Sequence, residues 1–372
     1  MKIAVPKEIK NNENRVGLVP SGVKQLVDDG HEVFVQATAG MGIGISDQEY
    51  IDAGGKIVQT LEDCFTQGTM IIKVKEPQPV EIALLKPHHI LYTYLHLAAD
   101  KELTEGLMKS GSTCIAYETI QYPDGSLPLL VPMSEVAGRM ATQVGAACLQ
   151  KDKGGKGVLL GGVPGVRRAK VTIIGCGIAG TNAAKMAMGL GADVTCIDLS
   201  TKRLAQMDDL FDNRVTTLYS NTRNIELAVL ESDLVIGAVL VAGAKAPKLV
   251  TRELISKMQD GSVVVDIAVD QGGCIETCRP TTHENPTFVV DGIVHYCVAN
   301  MPGAVPHTST YALTNVTLKY ARMIANLGVE QSIKIDEHLK LGVNIYKGKL
   351  VYEQIARDLE LPFTPLDAEK YL

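Results

Sequence analysis

The amino-acid sequence predicts an α/β protein of two domains, each a mostly parallel, doubly wound sheet with helices on its faces. Three observations carry that prediction. Short apolar runs alternate with helix-like segments along almost the whole chain, as strand–helix–strand units do. The alternation falls into two blocks, separated by a helical segment rich in small residues. The chain has 372 residues, 46% hydrophobic and 21% charged, enough for about two domains with cores of their own.

The elements follow in order. "KIAVP" reads as the first strand. A helix opened by Pro20 and Ser21 and stopped at Gly30 comes next, then the strand "EVFVQ". The glycine loop "AGMGIG" leads to a helix start at Ser46, where Glu49 completes a capping box. "MIIKVK", "ILYTYL" and "TCIAYE" are further strands. Ser134 is placed as the N-cap of a helix running through "EVAGRMATQVGAACLQ", whose small side chains predict close packing. The second block opens at "AKVTIIGCGIAG" and continues through "ADVTCID", "RVTTLYS", "DLVIGAVL", "GSVVVDIAVD" and "IVHYCV". After Pro306 comes a long helical stretch, "TSTYALTNVTLKYARMIANLG", and a mostly helical tail. The second block is complete by then, so the tail is expected to pack back on the first. The expected domains are residues 1–133 plus 306–372, discontinuous, and residues 134–305.

Composition excludes several function classes. The net charge is −6, and no basic stripe suggests a nucleic-acid partner or an anionic membrane. The longest apolar run, "LVIGAVLVAGA", is too short to span a bilayer, and "MKIAVPKEIK" reads as a strand. Eight scattered cysteines, several inside apolar strands, suggest buried thiols in a reducing compartment and a cytoplasmic protein. Cys274 and Cys278 form the one close pair, with no second cluster at metal-site spacing, so no metal is expected.

The most specific signal is "VTIIGCGIAGTNAAKMAMGLGADVTCIDLS". Gly175, Gly177 and Gly180 form G-x-G-x-x-G between a strand and a helix, the context in which this motif binds a dinucleotide. Such glycines permit a tight turn, let backbone approach a pyrophosphate and let helix pack on strand, while the helix N-terminus supplies free N–H groups. Asp198 ends the next strand, where an acid binds a ribose 2′-hydroxyl, which favours NAD over NADP. Lys202 and Arg203 blunt that inference, because they are within reach of a 2′-phosphate.

In open α/β sheets, ligands bind beyond the carboxyl ends of the strands. There the first domain places His96 after "ILYTYL", Lys75 at the end of "MIIKVK" and Arg15 in the loop after the first strand. The second places Asp270 at the end of "SVVVDIAVD". The blander readings are a core histidine, a solvated Arg15 and an Asp270 capping the turn "DQGG". Pattern alone does not choose Lys75 over Lys73, two residues earlier on the same face. Asp266, inside its strand, reads as structural, and Glu118 is a further candidate without an assigned role. Together the residues suit a nicotinamide enzyme acting on a 2-oxo or 2-amino acid. Such an enzyme needs cations for a carboxylate, a histidine to move protons and a carboxylate to activate water or ammonia.

"MKIAVPKEIKNNENRVGLVPSGV", "KVKEP", "YTYLHLA", "PMSEVAGRMATQVGA", "GGVPGV", "IIGCGIAGTNAA", "VVVDIAVDQGGC" and "VANMPGAVPHTST" together resemble the alanine dehydrogenase family over essentially the whole chain. The resemblance implies two Rossmann-like domains with a cleft between them, one for substrate and one for NAD. It implies reversible NAD-linked oxidation of L-alanine to pyruvate and ammonium. Arg15 and Lys75 would bind the substrate, which settles Lys75 over Lys73, and His96 and Asp270 would be the acid/base pair. The family's cofactor contacts fall on Ser134, Ile178, Asp198, Arg203, Ser220, Val239 and Leu240. They continue at Ile267, Ala268, Val269, Asp270, Arg279, Val298, Ala299, Asn300 and Met301. A homohexamer is implied by the resemblance alone. Two other readings stand beside it: a nucleotide-binding transhydrogenase-type subunit and a non-catalytic NAD-binding sensor.

Overall fold

The computed structural model describes residues 1–239 and 246–366. The strands in chain order are β1 (Lys2–Val5), β2 (Glu32–Gln36), β3 (Lys56–Val58), β4 (Met70–Ile72), β5 (Ile90–Thr93), β6 (Thr113–Ala116) and β7 (Lys170–Ile174). Then come β8 (Asp193–Asp198), β9 (Thr216–Tyr219), β10 (Leu234–Gly237), β11 (Val263–Asp266), β12 (Thr287–Val290), β13 (Ile293–Tyr296), β14 (Val343–Tyr346) and β15 (Lys349–Leu350). The chain divides into two compact units, Met1–Met133 with the segment from Val305 onward, and Ser134–Ala304.

The first unit is an eight-stranded sheet in the order β15-β14-β6-β5-β4-β1-β2-β3. From β3 to β6 every pairing is parallel. Central strands such as "MII" and "TCIA" are buried along their whole length, which is why they read as continuous apolar runs. The order reverses between β1 and β4, so the crevice where this sheet would take a ligand lies beyond their carboxyl ends. The helix Pro306–Ile335 covers the sheet, putting Leu313, Tyr320, Ile324 and Val329 in one core cluster with Ile3, Val5, Val33 and Ile72. The Tyr92 hydroxyl donates to the Thr317 carbonyl at 3.1 Å, and Arg322 grips both oxygens of Asp29 at 2.7 and 2.8 Å. Gly328 breaks the helix at φ 77°, a value that side-chain-bearing residues avoid.

The tail is not mostly helical. β14 pairs antiparallel with β6, and β15 folds back on β14. Tyr346 faces Lys349 across a two-residue turn in which Lys347 and Gly348 both have positive φ, 49° and 79°, the form that suits the strand twist. A lysine in the first turn position hides this hairpin from a search for Asn-Gly or Asp-Gly.

The second unit has the order β12-β13-β11-β10-β7-β8-β9, parallel except for the edge strand β12. Its order reverses beside β7, the strand that carries the glycine turn. β12 and β13 are joined through Asp291 and Gly292, again both at positive φ. The helix Val131–Cys148 starts ahead of Ser134, which therefore lies inside it and is not its N-cap. Pro132, with its fixed φ and missing N–H, fits the first turn instead. The small residues of this helix let it sit close to its neighbours. A Cβ on Gly138 would lie 2.1 Å from the Ala179 carbonyl oxygen, and the Thr142 hydroxyl donates to the Ala183 carbonyl at 2.9 Å.

Candidate active site

In the first unit, the loops after β1, β4 and β5 carry Arg15, Lys75 and His96. Arg15 is buried, and Glu13 takes its fork through Nε at 2.7 Å and Nη2 at 2.6 Å. Nη1 meets the Met133 thioether at 3.2 Å, a weak acceptor. Burial opposes the guanidinium charge, but the hydrogen bonds and charge of Glu13 outweigh it and hold the group above its usual range. Arg15 acts electrostatically on both Lys75 and Tyr94, so these groups share one neighbourhood.

β4 ends at Ile72, so Lys73 and Lys75 both lie beyond the strand, and their surroundings differ. Lys73 is fully buried between Glu8 at 2.9 Å and Glu81 at 2.6 Å. Burial works against its charge, yet the two carboxylates raise its pKa. It is the cation of a buried ion triad. Lys75 keeps a small exposed surface and has Glu76 at 3.6 Å; burial, with help from Lys10 and Arg15, pushes its pKa down. Glu8 also accepts the N–H groups of Val74 at 2.6 Å and Lys75 at 3.4 Å, fixing the loop that bears the lysine.

His96 is exposed and adopts φ 51°, ψ 38°, a left-handed conformation uncommon outside glycine, asparagine and aspartate. The Glu118 carboxylate accepts its N–H at 2.6 Å and the Leu95 N–H at 3.1 Å. The imidazole lies parallel to the Tyr94 ring with centroids 5.8 Å apart, and the Tyr94 hydroxyl donates to the Leu129 carbonyl at 2.6 Å. Backbone strain of this kind persists where the surroundings over-determine it, and it clusters at functional loops.

In the second unit, the three glycines answer to different constraints. Gly175 has φ 95°, and a Cβ there would lie 2.7 Å from the Ala238 carbonyl oxygen. A Cβ on Gly180 would lie 1.8 Å from the Gly175 oxygen, so helix and strand meet only through glycine. A Cβ on Gly177 meets nothing within 4 Å. The fold leaves that space, and a pyrophosphate is the group that would use it. Gly177 caps the helix Ile178–Gly189 without a side-chain acceptor, which leaves first-turn N–H groups for an anion. Asp198 ends β8; its Oδ2 accepts the Cys176 N–H at 2.7 Å and its Oδ1 the Ser200 N–H at 2.8 Å, while both oxygens keep lone-pair capacity for a ribose hydroxyl. The Arg203 guanidinium donates to the Cys176 carbonyl, the Thr181 hydroxyl and Gln206, so it braces the glycine turn.

Other expected cofactor positions ring the same sheet. Ser220 follows β9 and donates its N–H to the Asp198 carbonyl at 2.9 Å, and Val239 follows β10. Leu240 lies outside the described residues. Ile267 donates its N–H to the Gly237 carbonyl at 2.9 Å. Arg279 stacks on the Phe288 ring at 4.4 Å. Val298 and Met301 are buried, Ala299 donates to the Thr281 carbonyl at 3.1 Å, and Asn300 has φ 61°.

Asp270 does not end a strand. β11 stops at Asp266, and Asp270 sits exposed in a single 3-10 turn, Val269–Gln271, closed by Gly272 at φ 98°. The run "VVVDIAVD" is continuous in hydrophobicity but not in backbone, because the buried Asp266 turns the chain. It accepts the N–H groups of Ala268 at 3.2 Å and Ile275 at 3.1 Å. Burial lifts the Asp266 carboxyl to about 6. The Asp270 carboxylate takes no hydrogen bond from the described residues. All eight cysteines are free thiols, and among the described residues no group of three or more His, Cys, Asp or Glu side chains is arranged to hold a metal.

Sequence reasoning missed the carboxylates behind these loops. Nothing in the sequence pattern singles out Glu8 or Glu13, and it gives Glu118 no role. Register supplies the signal: Thr93 pairs with Ala116, so Glu118 falls beside Leu95 just past the strand ends.

A strand-end cluster of cations and a histidine in one unit, and a dinucleotide turn in the other, are the parts of an oxidoreductase. Family models match both halves: the alanine dehydrogenase/PNT N-terminal domain over residues 4–137 and the alanine dehydrogenase/PNT C-terminal domain over residues 141–353. The chain belongs to the alanine dehydrogenase/PNT family. It is 57% identical over 368 residues to an alanine dehydrogenase of Staphylococcus epidermidis, covering 99% of each chain. It is 56% identical over 373 residues to that of Methanococcus maripaludis, covering 100% of each. Among solved structures, an L-alanine dehydrogenase superposes with a TM-score of 0.95 at 52% identity, over 97% of this chain and 99% of that one. A transhydrogenase from Sinorhizobium meliloti is more distant, with a TM-score of 0.81 at 25% identity over 95% and 99%.

Proposed function

We propose that this chain is an NAD-dependent alanine dehydrogenase, catalysing the reversible oxidative deamination of L-alanine to pyruvate and ammonium. The observation that carries the reading is the grouping of Arg15, Lys75 and His96 beyond neighbouring strands at the reversal point of the first sheet. A transhydrogenase subunit would have no task for that grouping. Residues 1–133 with 306–372 are assigned to substrate and catalysis, and residues 134–305 to NAD.

The glycine turn fits the dinucleotide: Gly175, Gly177, Gly180 and the helix N-terminus would hold its pyrophosphate, and Asp198 a ribose. NAD, when bound, supplies the carrier that takes hydride from the alanine Cα or returns it. The chain's own residues do the rest. Arg15 and Lys75 hold the substrate carboxylate and its oxygen; a carboxylate oxygen is a better acceptor than the Met133 thioether and would take Nη1 in its place. His96 removes a proton from the substrate nitrogen as the carbon is oxidised. Asp270, with its acceptor positions open to water, activates the water that adds to the imine carbon, and ammonia leaves as the carbonyl forms. In the aminating direction the same two groups return the protons.

The reducing cytoplasm is the compartment that eight free thiols suit, and a homohexamer is the assembly to look for by light scattering. The deciding assay is NADH consumption with pyruvate plus ammonium, with glyoxylate, 2-oxobutyrate and NADPH alongside. Oxidation that requires both pyruvate and ammonium supports the reading. Oxidation without ammonium points to a hydroxy-acid dehydrogenase, and tight NADH binding with no turnover points to a transhydrogenase-like subunit or a sensor.

A further inference from the structure

Two carboxylates do the same work on the two loops of the substrate half-site. In a parallel sheet, each N–H of one strand finds a carbonyl on its neighbour. Past the end of β5, the next strand has already turned away: β6 gives way to the one-turn helix Tyr117–Thr119. The N–H of Leu95, which the ladder aims at β6, therefore needs another acceptor, the left-handed turn at His96 brings the next N–H to the same place, and the Leu95 side chain is completely buried. The register, Tyr92 with Ile115 and Thr93 with Ala116, continues to Leu95 with Glu118. The Glu118 side chain takes the place of the missing carbonyls. Its Oε1 accepts from His96 at 2.6 Å and Leu95 at 3.1 Å, and its Oε2 from Leu95 at 3.2 Å. Glu8 does likewise for Val74 and Lys75 beyond β4.

We infer that Glu118 is a positioning residue for His96: it extends the β5–β6 ladder by a side chain and holds the histidine in its left-handed backbone conformation. Left-handed backbone is unfavourable for a residue that carries a side chain. Two charge-assisted hydrogen bonds from consecutive amides offset that cost. Without the carboxylate, the loop relaxes toward right-handed or extended backbone. The imidazole then swings from its place against Tyr94, away from the position proton transfer requires. The inference rests on His96 acting as the acid/base group.

The experiment uses the full-length protein with Glu118→Gln, Glu118→Ala, His96→Ala and the double variant Glu118→Ala/His96→Ala. It measures kcat, KM for pyruvate, the pH profile of kcat, and hydrogen exchange at the Leu95 and His96 amides. Glutamine keeps one acceptor oxygen for both amides and cannot titrate. The expected result is Glu118→Gln within about fivefold of wild-type kcat, with an unchanged profile. Glu118→Ala should lose at least tenfold in kcat, with faster exchange at those amides and little change in KM. In the His96→Ala background, Glu118→Ala should cost nothing more, because neighbours acting through one group are not additive. A glutamine variant as poor as alanine, with one limb of the pH profile gone, would overturn the inference and make Glu118 itself an acid or base. An alanine variant that unfolds more easily but keeps its kcat would overturn it in favour of a merely structural role. A His96→Ala enzyme close to wild type sinks the acid/base reading of His96, whatever Glu118 does.

Discussion

At the scale of single residues, the glycine turn separates a demand of folding from a demand of binding. Gly180→Ala forces a Cβ into the Gly175 carbonyl and should lower both stability and NADH affinity. Gly177 has φ −64°, which alanine adopts freely, and open space at its Cβ. Gly177→Ala should therefore leave the thermal midpoint within a degree or two of wild type, a shift of a few tenths of a kcal/mol. Its NADH dissociation constant should nonetheless rise at least tenfold, about 1.4 kcal/mol. Fluorescence titration beside a thermal melt checks both. His96→Ala should lower kcat by about two to four orders of magnitude with the fold intact, the usual worth of a positioned acid or base. Lys73→Met strands Glu8 and Glu81 in the interior and should cost about 3–5 kcal/mol in urea unfolding. The same substitution at Lys75, which is not part of that triad, should act on KM for pyruvate far more than on stability.

At the scale of elements, the parallel strands were legible because burial on both faces writes them as unbroken apolar runs, and the glycine turn because its neighbours fix its meaning. The β14–β15 hairpin was not, since "VNIYKGKLVY" lies in a tail of helical composition and turns on a lysine. Lys347→Asn, which tolerates positive φ better, should stabilise the protein by a few tenths of a kcal/mol. Gly348→Ala should cost at least about 1–2 kcal/mol, from a φ of 79° and a Cβ only 2.7 Å from the Met108 carbonyl oxygen. The strand ends were overread at Lys75 and Asp270, because hydrophobicity continues for several residues after the ladder stops. Arg15, His96 and Asp270 are candidates in the sequence because chemistry-bearing residues stand out against apolar strands, whereas the choice of Lys75 over Lys73 rests on the family resemblance. Glu118 shows in the sequence only as a candidate without a role, because register brings it to His96, and Glu8 and Glu13 do not show, because loop folding sets their contacts with Val74 and Arg15.

At the scale of the whole molecule, two buried groups push stability in opposite directions with pH. The Asp266 pKa rises from 3.8 to about 6 in the folded state, so between these values the native protein holds a proton that the unfolded chain has released. Its contribution therefore falls as pH rises through that window. His89, whose Nδ1 accepts the Lys86 N–H at 2.9 Å, is lowered from 6.5 to about 4 by burial, and its contribution falls as pH drops. Each amounts to up to about 3 kcal/mol, at about 1.4 kcal/mol per unit, so they nearly cancel. Relative to wild type, Asp266→Asn should lose stability by that order between pH 7 and pH 4, and His89→Gln should gain it. Urea melts at the two pH values test both.

The helix Pro306–Ile335 and the strand β14 complete a sheet whose first strands lie more than two hundred residues earlier. During synthesis the second unit, one unbroken stretch, has all its strands before the first unit can be finished. Until the tail emerges from the ribosome, β6 stands as an open edge and the apolar face over Ile3, Val33 and Ile72 lies bare. A nascent chain whose residues up to Ala304 have cleared the ribosome carries every strand of the second unit behind a half-built front. It is that front, with its open edge, that would recruit a chaperone or another nascent chain.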